Sequence, residues 1–192
     1  MSNNIDDSEI HQIVKRVLQQ TLGAPQSGPE TAASPMRAKP GGRRVVAIGA
    51  DHGGFELKEA LKSEITALGF EIQDVGTNSK DAVDYPDFAH AVAQLVSVGK
   101  AWRGIMIDGA GIGSCIVANK VPGVRAGMGY DISSASNSRE HNDTNVLTLG
   151  AGLIGANLAK QIVKTWLTTE FGGGRHAPRV DKINSVEKKY LK

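Results

Sequence analysis

The sequence has little cysteine, little net charge and no long apolar run, and each shortage excludes a class of protein. One cysteine in 192 residues forms no intramolecular disulfide and no multi-cysteine metal site, as is typical of cytosolic proteins. No apolar run approaches the roughly 18 residues that a membrane helix needs, and the first residues lack the basic start and apolar stretch of a signal peptide. A net charge of +2 argues against nucleic-acid binding. We therefore expect a soluble cytoplasmic protein with no nucleic-acid or membrane partner.

The composition that remains suits one globular domain with an appendage. Hydrophobic residues make up 40% of the chain and charged residues 22%, so the chain can bury a core. Its 23 glycines indicate tight turns or a backbone that approaches a ligand closely. The histidines stand at no metal-ligand spacing, and His11 and His90 fall in helical segments away from the other polar clusters. We expect no metal and no cofactor.

The N-terminal 42 residues differ from the rest of the chain. Residues 6–22 carry an apolar stripe at helical spacing, formed by Ile10, Ile13, Val14, Val17, Leu18 and Leu22. Residues 23–42 hold four prolines among glycine, serine and alanine, which predicts a flexible linker before a domain at 43–192. A short tethered helix cannot bury its own stripe. We expect it to dock on its own domain, to contact another subunit as a coiled coil, or to serve as a docking peptide for another protein.

From residue 43 onward, strand and helix patterns alternate. Strands are predicted at 44–49, 70–75, 104–107, 124–128 and 146–149. Helices are predicted at 55–68, 85–98, around 114–119, at 132–139 and at 154–169, the last being the final long helix. This alternation predicts one doubly wound (Rossmann-like) α/β domain, with five parallel strands and helices on both faces. In such sheets a ligand binds beyond the carboxyl ends of the strands, where the strand order reverses.

Three polar clusters accompany the predicted strand ends. Asp51 and His52 follow the first strand, where Asp51 either faces a ligand or only caps the next helix. Residues 108–114 (DGAGIGS) place glycines in alternation before a helix, which aims N–H groups at an anion or simply makes a tight turn. This loop matches neither complete phosphate-binding fingerprint. The third cluster joins residues 139–143 to Arg175, His176 and Arg179, which form either an anion clamp or a solvated basic tail.

Five segments together resemble one enzyme family. They are GADHGGFELKEALK, DYPDFA, GAGIG…ANKVPGVRAG, SREHNDTNVLTLGAGLIG and GGRHAPRV. In this order, over residues 44–183, they resemble the ribose-5-phosphate isomerase B family, which also holds the galactose-6-phosphate isomerase subunits. The resemblance implies a metal-free Rossmann-like fold and a dimer or tetramer with sites shared between subunits. It also implies interconversion of aldose and ketose phosphates through an enediolate.

The resemblance also implies roles for individual residues. The phosphate would be held by His52, Arg175 and Arg179, and His141 would help to open the sugar ring. Sugar hydroxyls would contact Asp51, Tyr85 and Asn142. The enediolate oxygen would meet the backbone N–H groups of Gly109, Ala110, Gly111, Ile112 and Gly113, in a substrate-binding loop that ends at Ser114.

The chain departs from the family at the position of the base. The usual cysteine before the loop is replaced by Asp108, and the glutamate of a second branch is replaced by Ser114. The galactose-6-phosphate isomerase A subunit resembles this chain in that aspartate and works with a cysteine-bearing partner subunit. Three hypotheses stay open. Asp108 is the base; Cys115 is the base, with its thiol in the first helical turn; or the protein is a weak, altered or non-catalytic relative, a sugar-phosphate-binding or scaffolding subunit without turnover.

The N-terminal extension resembles a different element, the encapsulation peptide that targets enzymes into bacterial microcompartments. Such peptides are short amphipathic helices on linkers rich in glycine, proline and alanine, as residues 1–42 are predicted to be. The resemblance implies a shell protein as partner of residues 1–22, and a location in the cytoplasm or in the lumen of a microcompartment.

Overall fold

A computed structural model describes residues 44–190, and the predictions for residues 1–42 lie outside this range. The strands are β1 (Val45–Ala50), β2 (Glu71–Asp74), β3 (Arg103–Asp108), β4 (Ala126–Met128) and β5 (Val146–Gly150). The helices are α1 (Phe55–Ala67), α2 (Tyr85–Ser97), α3 (Ile112–Ala118), α4 (Ile132–Glu140), α5 (Ala156–Thr168) and α6 (Ala177–Tyr190), with a 3₁₀ turn at Gly174–His176. The predicted strands and helices are confirmed to within a few residues at their ends.

All five strands are parallel, in the order β2-β1-β3-β5-β4. The chain moves outward from β1 to β2 and then returns to place β3 on the other side of β1. The order therefore reverses between β1 and β3, and the loops after these two strands border the crevice where doubly wound sheets bind ligands. We call this side, where the strands end, the carboxyl edge, and the opposite side the amino edge.

Both faces of the sheet are covered, as predicted. On one face, apolar side chains of α1, α4 and α5 pack against β1, β3 and β5, with Trp166 fully buried. On the other face, α2 and α3 pack against the same strands through small and β-branched residues such as Ala89, Val92 and Ala118. Strands buried on both faces explain the nearly continuous apolar runs of β1 and β3.

The prediction that residues 154–169 form the last long helix was wrong, because α6 follows it. Lysines at the end of the chain suggested a solvated tail. However, Pro178 occupies the first turn of α6, where its missing N–H costs nothing, and Val180 is buried. Ile183 and Val186 continue the apolar stripe at intervals of three residues but remain about half exposed. The helix therefore presents an apolar face that the chain covers only in part.

Two buried arginines hold the end of α5. Arg103 donates to the carbonyl oxygens of Trp166 (2.6 Å) and Leu167 (3.1 Å), and Arg139 donates to that of Thr169 (3.3 Å). Cations are favourable where a helix leaves its last carbonyls without partners. Burial lowers the pKa of Arg103 to about 9. Arg139, which belongs to the third polar cluster of the sequence, therefore supports the fold instead of facing a ligand.

Candidate active site

The turn after β1 forms one wall of the crevice at the carboxyl edge. The N–H of Asp51 donates to the Ile107 carbonyl of β3 (3.1 Å), and its Oδ1 accepts from the N–H of Gly54 (2.9 Å). A Cβ on Gly54 would overlap the Ile107 carbonyl oxygen, so this position requires glycine. The turn therefore holds Asp51, which is 8% exposed, against the end of β3.

His52 lies exposed beside this turn and is oriented by the backbone of a neighbouring loop. Its Nδ1 lies 3.2 Å from the Val83 nitrogen and 3.1 Å from the Val83 oxygen, so one ring nitrogen is engaged by this peptide. The other ring nitrogen, Nε2, is left for a ligand. This arrangement is consistent with the predicted contact between His52 and a phosphate.

The glycine-rich loop after β3 closes around the side chain of Asp108. Oδ1 of Asp108 accepts from the N–H groups of Ala110 (2.8 Å) and Gly111, and Oδ2 accepts from the N–H (3.2 Å) and hydroxyl (2.5 Å) of Ser114. Gly111 has φ +79°, the left-handed conformation that glycine adopts without strain. Asp108 is 4% exposed and Ser114 is fully buried. Both carboxylate oxygens therefore hold the loop.

This closure divides the predicted anion hole. The N–H groups of Ala110 and Gly111 point at the carboxylate of Asp108, so they are not available to a substrate oxygen in this conformation. The donors that remain at the loop are the N–H groups of Gly109, Ile112 and Gly113. Ile112 and Gly113 open helix α3, where first-turn N–H groups have no partner within the helix.

Two tyrosines border the loop. A Cβ on Gly113 would lie 2.5–2.6 Å from the side chain of Tyr85. The loop can therefore pack against this ring only with glycine at position 113. The hydroxyl of Tyr130 lies 3.5 Å from the carbonyl oxygen of Ala110. The sequence predicted that Tyr85 contacts the sugar, but it did not place Tyr130 near the site. Its place two residues after β4, at the same edge of the sheet, is the signal that would have found it.

Cys115 faces away from the loop. Its Sγ lies 3.6 Å from the carbonyl oxygen of Ala126, the first residue of β4, and 3.5 Å from Nδ2 of Asn119. Burial raises the pKa of this thiol above its ordinary value. Because the thiolate is the reactive form of cysteine, both the position and the pKa argue against Cys115 as a base.

The remaining predicted residues gather elsewhere, at the end of α4. His141 caps this helix and stacks on His176, with ring centroids 4.2 Å apart. The N–H of Gly172 donates to the Glu140 carbonyl (2.9 Å), which holds the C-terminal segment in place. The pKa of His176 is lowered by partial desolvation and by the nearby His141, Arg175 and Arg179. With Arg175, Arg179 and Asn142 exposed, this cluster suits an anionic ligand.

The two groups of residues lie at opposite edges of the sheet. Helix α4 begins after the carboxyl end of β4 and runs back to the amino edge, where β5 begins. His141 follows this helix, five residues before β5, and therefore lies at the amino edge. Val146 pairs with Gly104 near the start of β3, whereas Gly150 pairs with Asp108 at its end. At about 3.3 Å a residue, these strands separate the His141 cluster from the glycine-rich loop by about 15 Å. One copy of the chain therefore does not bring all predicted residues into one pocket.

Within residues 44–190, no group of three or more His, Cys, Asp or Glu side chains is arranged to hold a metal ion. None of the helices in this part of the chain is long and apolar enough to cross a membrane.

The chain is therefore a doubly wound α/β protein with a glycine-rich loop at its switch point and a cluster of arginine and histidine side chains at the opposite edge of the sheet. The chain belongs to the ribose/galactose isomerase family, whose model matches residues 46–183. It is 44% identical over 146 residues to the ribose-5-phosphate isomerase B of Escherichia coli, covering 76% of this chain and 98% of that one.

Two further relatives show the range of the similarity. A D-erythrulose-4-phosphate isomerase of Pectobacterium atrosepticum is 42% identical over 143 residues, covering 74% of this chain and 94% of that protein. The solved structure of Clostridium thermocellum ribose-5-phosphate isomerase B matches with a TM-score of 0.75 and 50% identity, over 77% of this chain and 99% of that one. These matches confirm the expected family and fold.

Proposed function

We propose that this protein is an aldose–ketose isomerase that acts on a sugar phosphate of the ribose 5-phosphate type through an enediolate. The observation that supports it best is the loop at 109–113, which keeps unpartnered N–H donors at the switch point of a fold shared with named isomerases. Proton removal beside a carbonyl creates negative charge on oxygen, and fixed N–H donors stabilise that charge by a few kcal/mol each.

The phosphate and the sugar ring require the other cluster. We assign Arg175 and Arg179 to the phosphate, because guanidinium groups match phosphate oxygens, and His141 to opening of the ring. His52 supplies a further phosphate contact from the carboxyl edge through its free ring nitrogen. Since the two clusters lie at opposite edges of one sheet, the complete site needs a second copy of the chain, in the dimer or tetramer that we propose.

The apolar face of α6 supports a second copy. Ile183, Val186 and Tyr190 are 44%, 53% and 81% exposed, and they border a groove of about 790 Å³ beside β4, the edge strand. Exposed apolar patches next to a groove mark interaction sites. Self-association through this face would bring the amino edge of one copy toward the other.

A catalytically altered or inactive sugar-phosphate-binding subunit is the second candidate, as is a galactose-6-phosphate isomerase type of subunit that needs a different partner. One observation favours it: Asp108, at the position of the family's usual cysteine, is buried and holds the loop with both oxygens.

The test is an isomerase assay of the purified full-length chain by proton NMR. The substrates are ribose 5-phosphate, ribulose 5-phosphate and a panel of four- to six-carbon aldose and ketose phosphates. Interconversion of one pair, with a kcat well above the uncatalysed rate, is the expected result. Binding without turnover across the panel would favour the inactive subunit. Turnover that appears only with a second, cysteine-bearing protein would favour the paired subunit.

Packaging of the enzyme is a separate proposal that concerns residues 1–42. We propose that residues 1–22 bind a shell protein and carry the isomerase into a bacterial microcompartment, with residues 23–42 as the tether. The apolar stripe of this segment and its proline-rich linker support the proposal.

A further inference from the structure

The isomerase that we propose needs a base at the carboxyl edge. Three candidate bases there already make other contacts. Both oxygens of Asp108 accept hydrogen bonds from the loop that it closes. The Ser114 hydroxyl donates to Asp108 and is fully buried. The Cys115 thiol packs toward β4. A base must have a free acceptor atom within hydrogen-bond reach of the substrate proton, and none of these three offers one.

Asp51 offers such an atom. It follows β1 directly, and because Ala50 pairs with Ile107, its backbone lies beside the start of the glycine-rich loop. A Cβ on Gly53 would lie 3.4 Å from Oδ1 of Asp51 and 3.8 Å from the Gly109 nitrogen, which shows how near the two segments are.

The two oxygens of Asp51 differ in their surroundings. Oδ1 accepts from the N–H of Gly54 (2.9 Å), which fixes the orientation of the carboxylate. Oδ2 makes no hydrogen bond within residues 44–190. The one fully buried side-chain nitrogen or oxygen without a partner in this range is Oγ1 of Thr148, so Oδ2 of Asp51 reaches the surface of the crevice.

The other polar groups at the crevice suit other tasks. His52 has one nitrogen engaged by the Val83 backbone and lies exposed, where its second nitrogen can meet a phosphate. Tyr85 and Tyr130 carry phenol hydroxyls, which near neutral pH serve as hydrogen-bond donors to a substrate. In the two turns that flank the switch point, after β1 and after β3, Asp51 is the remaining carboxylate, with one fixed and one open oxygen.

We propose that Asp51 is the general base that moves the proton between C2 and C1. This role rests on the isomerase function proposed above. Oδ2 takes the proton from C2 of the open-chain aldose. The C–H electron pair forms the C1=C2 double bond, and the carbonyl π pair moves onto O1. The N–H groups of Gly109, Ile112 and Gly113 stabilise this oxyanion.

The second half of the reaction restores the carboxylate. Asp51 returns the proton to C1, using the electron pair of the C1=C2 bond. The hydroxyl proton of O2 passes to O1, and the oxygen at C2 becomes the carbonyl of the ketose. Atoms and charge balance, and no further reactant is needed. Asp108 acts in this scheme as a positioning residue that keeps the loop in shape.

Asp51→Asn tests the proposal with little change to the fold, because the amide keeps an oxygen for the N–H of Gly54. We expect kcat to fall by roughly 100- to 10,000-fold, the usual contribution of a general base. The affinity for the sugar phosphate, measured by calorimetry, should stay within about threefold. Glu71→Gln, an exposed carboxylate at the amino edge, serves as the matched control and should leave kcat unchanged.

A second measurement separates this proposal from the function on which it rests. In deuterated water, a wild-type enzyme should exchange the C2 hydrogen of the substrate with solvent, and Asp51→Asn should lose this exchange in proportion to kcat. Exchange retained within threefold of wild type would overturn the role of Asp51 and leave the isomerase function standing. A wild-type protein without turnover or exchange on the whole panel would instead overturn the function itself.

Discussion

Asp108 holds the glycine-rich loop together from inside the fold. Its carboxylate collects the N–H groups of Ala110, Gly111 and Ser114, and the Ser114 hydroxyl as well. Charge-assisted hydrogen bonds of this kind are about twice as strong as neutral ones. Both oxygens of this side chain therefore serve the loop, whereas one of the three hypotheses from the sequence made Asp108 a base that faces the substrate.

Asp108→Asn should destabilise the fold. The amide turns one acceptor into a donor that faces N–H groups, so we expect the free energy of unfolding to fall by about 2 kcal/mol. Urea denaturation followed by circular dichroism measures this, with Asp51→Asn as the control that should lose less. A variant of unchanged stability whose kcat falls by orders of magnitude, with binding intact, would assign the base to Asp108, the first of the three hypotheses from the sequence.

At the scale of whole elements, helix α1 is joined to the end of β2 by a partly buried charge network. Lys58, fully buried, contacts Asp74 (2.5 Å) and Glu59 (2.9 Å), and Lys62 contacts the same two carboxylates. Burial raises the pKa of Asp74, but the hydrogen bonds from Lys58, Gly76 and Lys62 outweigh it, so the pKa lies below its ordinary value of 3.8. The same lysines lower the pKa of Glu59 below 4.5.

These lowered pKa values predict acid sensitivity. A carboxylate whose folded pKa is depressed contributes stability above its unfolded pKa and loses it as the pH falls through the folded value. Stability should therefore decline below about pH 4.5. Asp74→Asn should cost about 2 kcal/mol at pH 7, because Lys58 loses its nearest partner, and should flatten the acid decline. Urea melts from pH 3 to 7 test this, and an equally steep decline in the variant would contradict it.

Helix α6 and the turn before it place Arg175 and Arg179 beside the stacked rings of His141 and His176. Arg175→Ala or Arg179→Ala should weaken binding of the phosphorylated sugar roughly 10- to 100-fold, the loss of one charged hydrogen bond. Binding of the same sugar without its phosphate should not change. Lys188→Ala, exposed near the end of α6, is the matched control, and calorimetric affinities equal to wild type in both arginine variants would assign these arginines to a solvated surface.

The elements also show what a sequence can and cannot predict. Periodicity predicted β1 to β5 and α1 to α5, because strands buried on both faces and amphipathic helices have distinct patterns. Helix α6 was missed, because its stripe of Val180, Ile183 and Val186 is weak beside its lysines. The loop at 108–114 was located correctly, but hydrogen bonds between Asp108 and its own loop leave no mark in spacing.

At the scale of the whole molecule, residues 1–42 should be dispensable for folding, since the described core begins after them. Removing them should leave the melting temperature and kcat unchanged. Fused to a fluorescent protein and expressed with the shell proteins of a microcompartment, the segment should give punctate fluorescence. Replacing Ile13 and Val17 by aspartate should make it diffuse, because the apolar stripe is the proposed contact. Diffuse fluorescence of the fusion that carries the natural residues 1–42 would contradict the targeting proposal.

In the assembly that we propose, one site is built from the carboxyl edge of one copy and the amino edge of another. Subunit complementation tests it most directly. Asp51→Asn impairs the carboxyl edge and His141→Ala the amino edge, and each homo-oligomer should be nearly inactive. Co-expression with two different tags and sequential affinity purification isolate the mixed oligomer.

In a mixed dimer with shared sites, one of the two sites combines Asp51 of one chain with His141 of the other. It should recover up to about half the wild-type activity. A mixed oligomer as inactive as its parents would contradict a shared site and place both residues in one chain's own pocket.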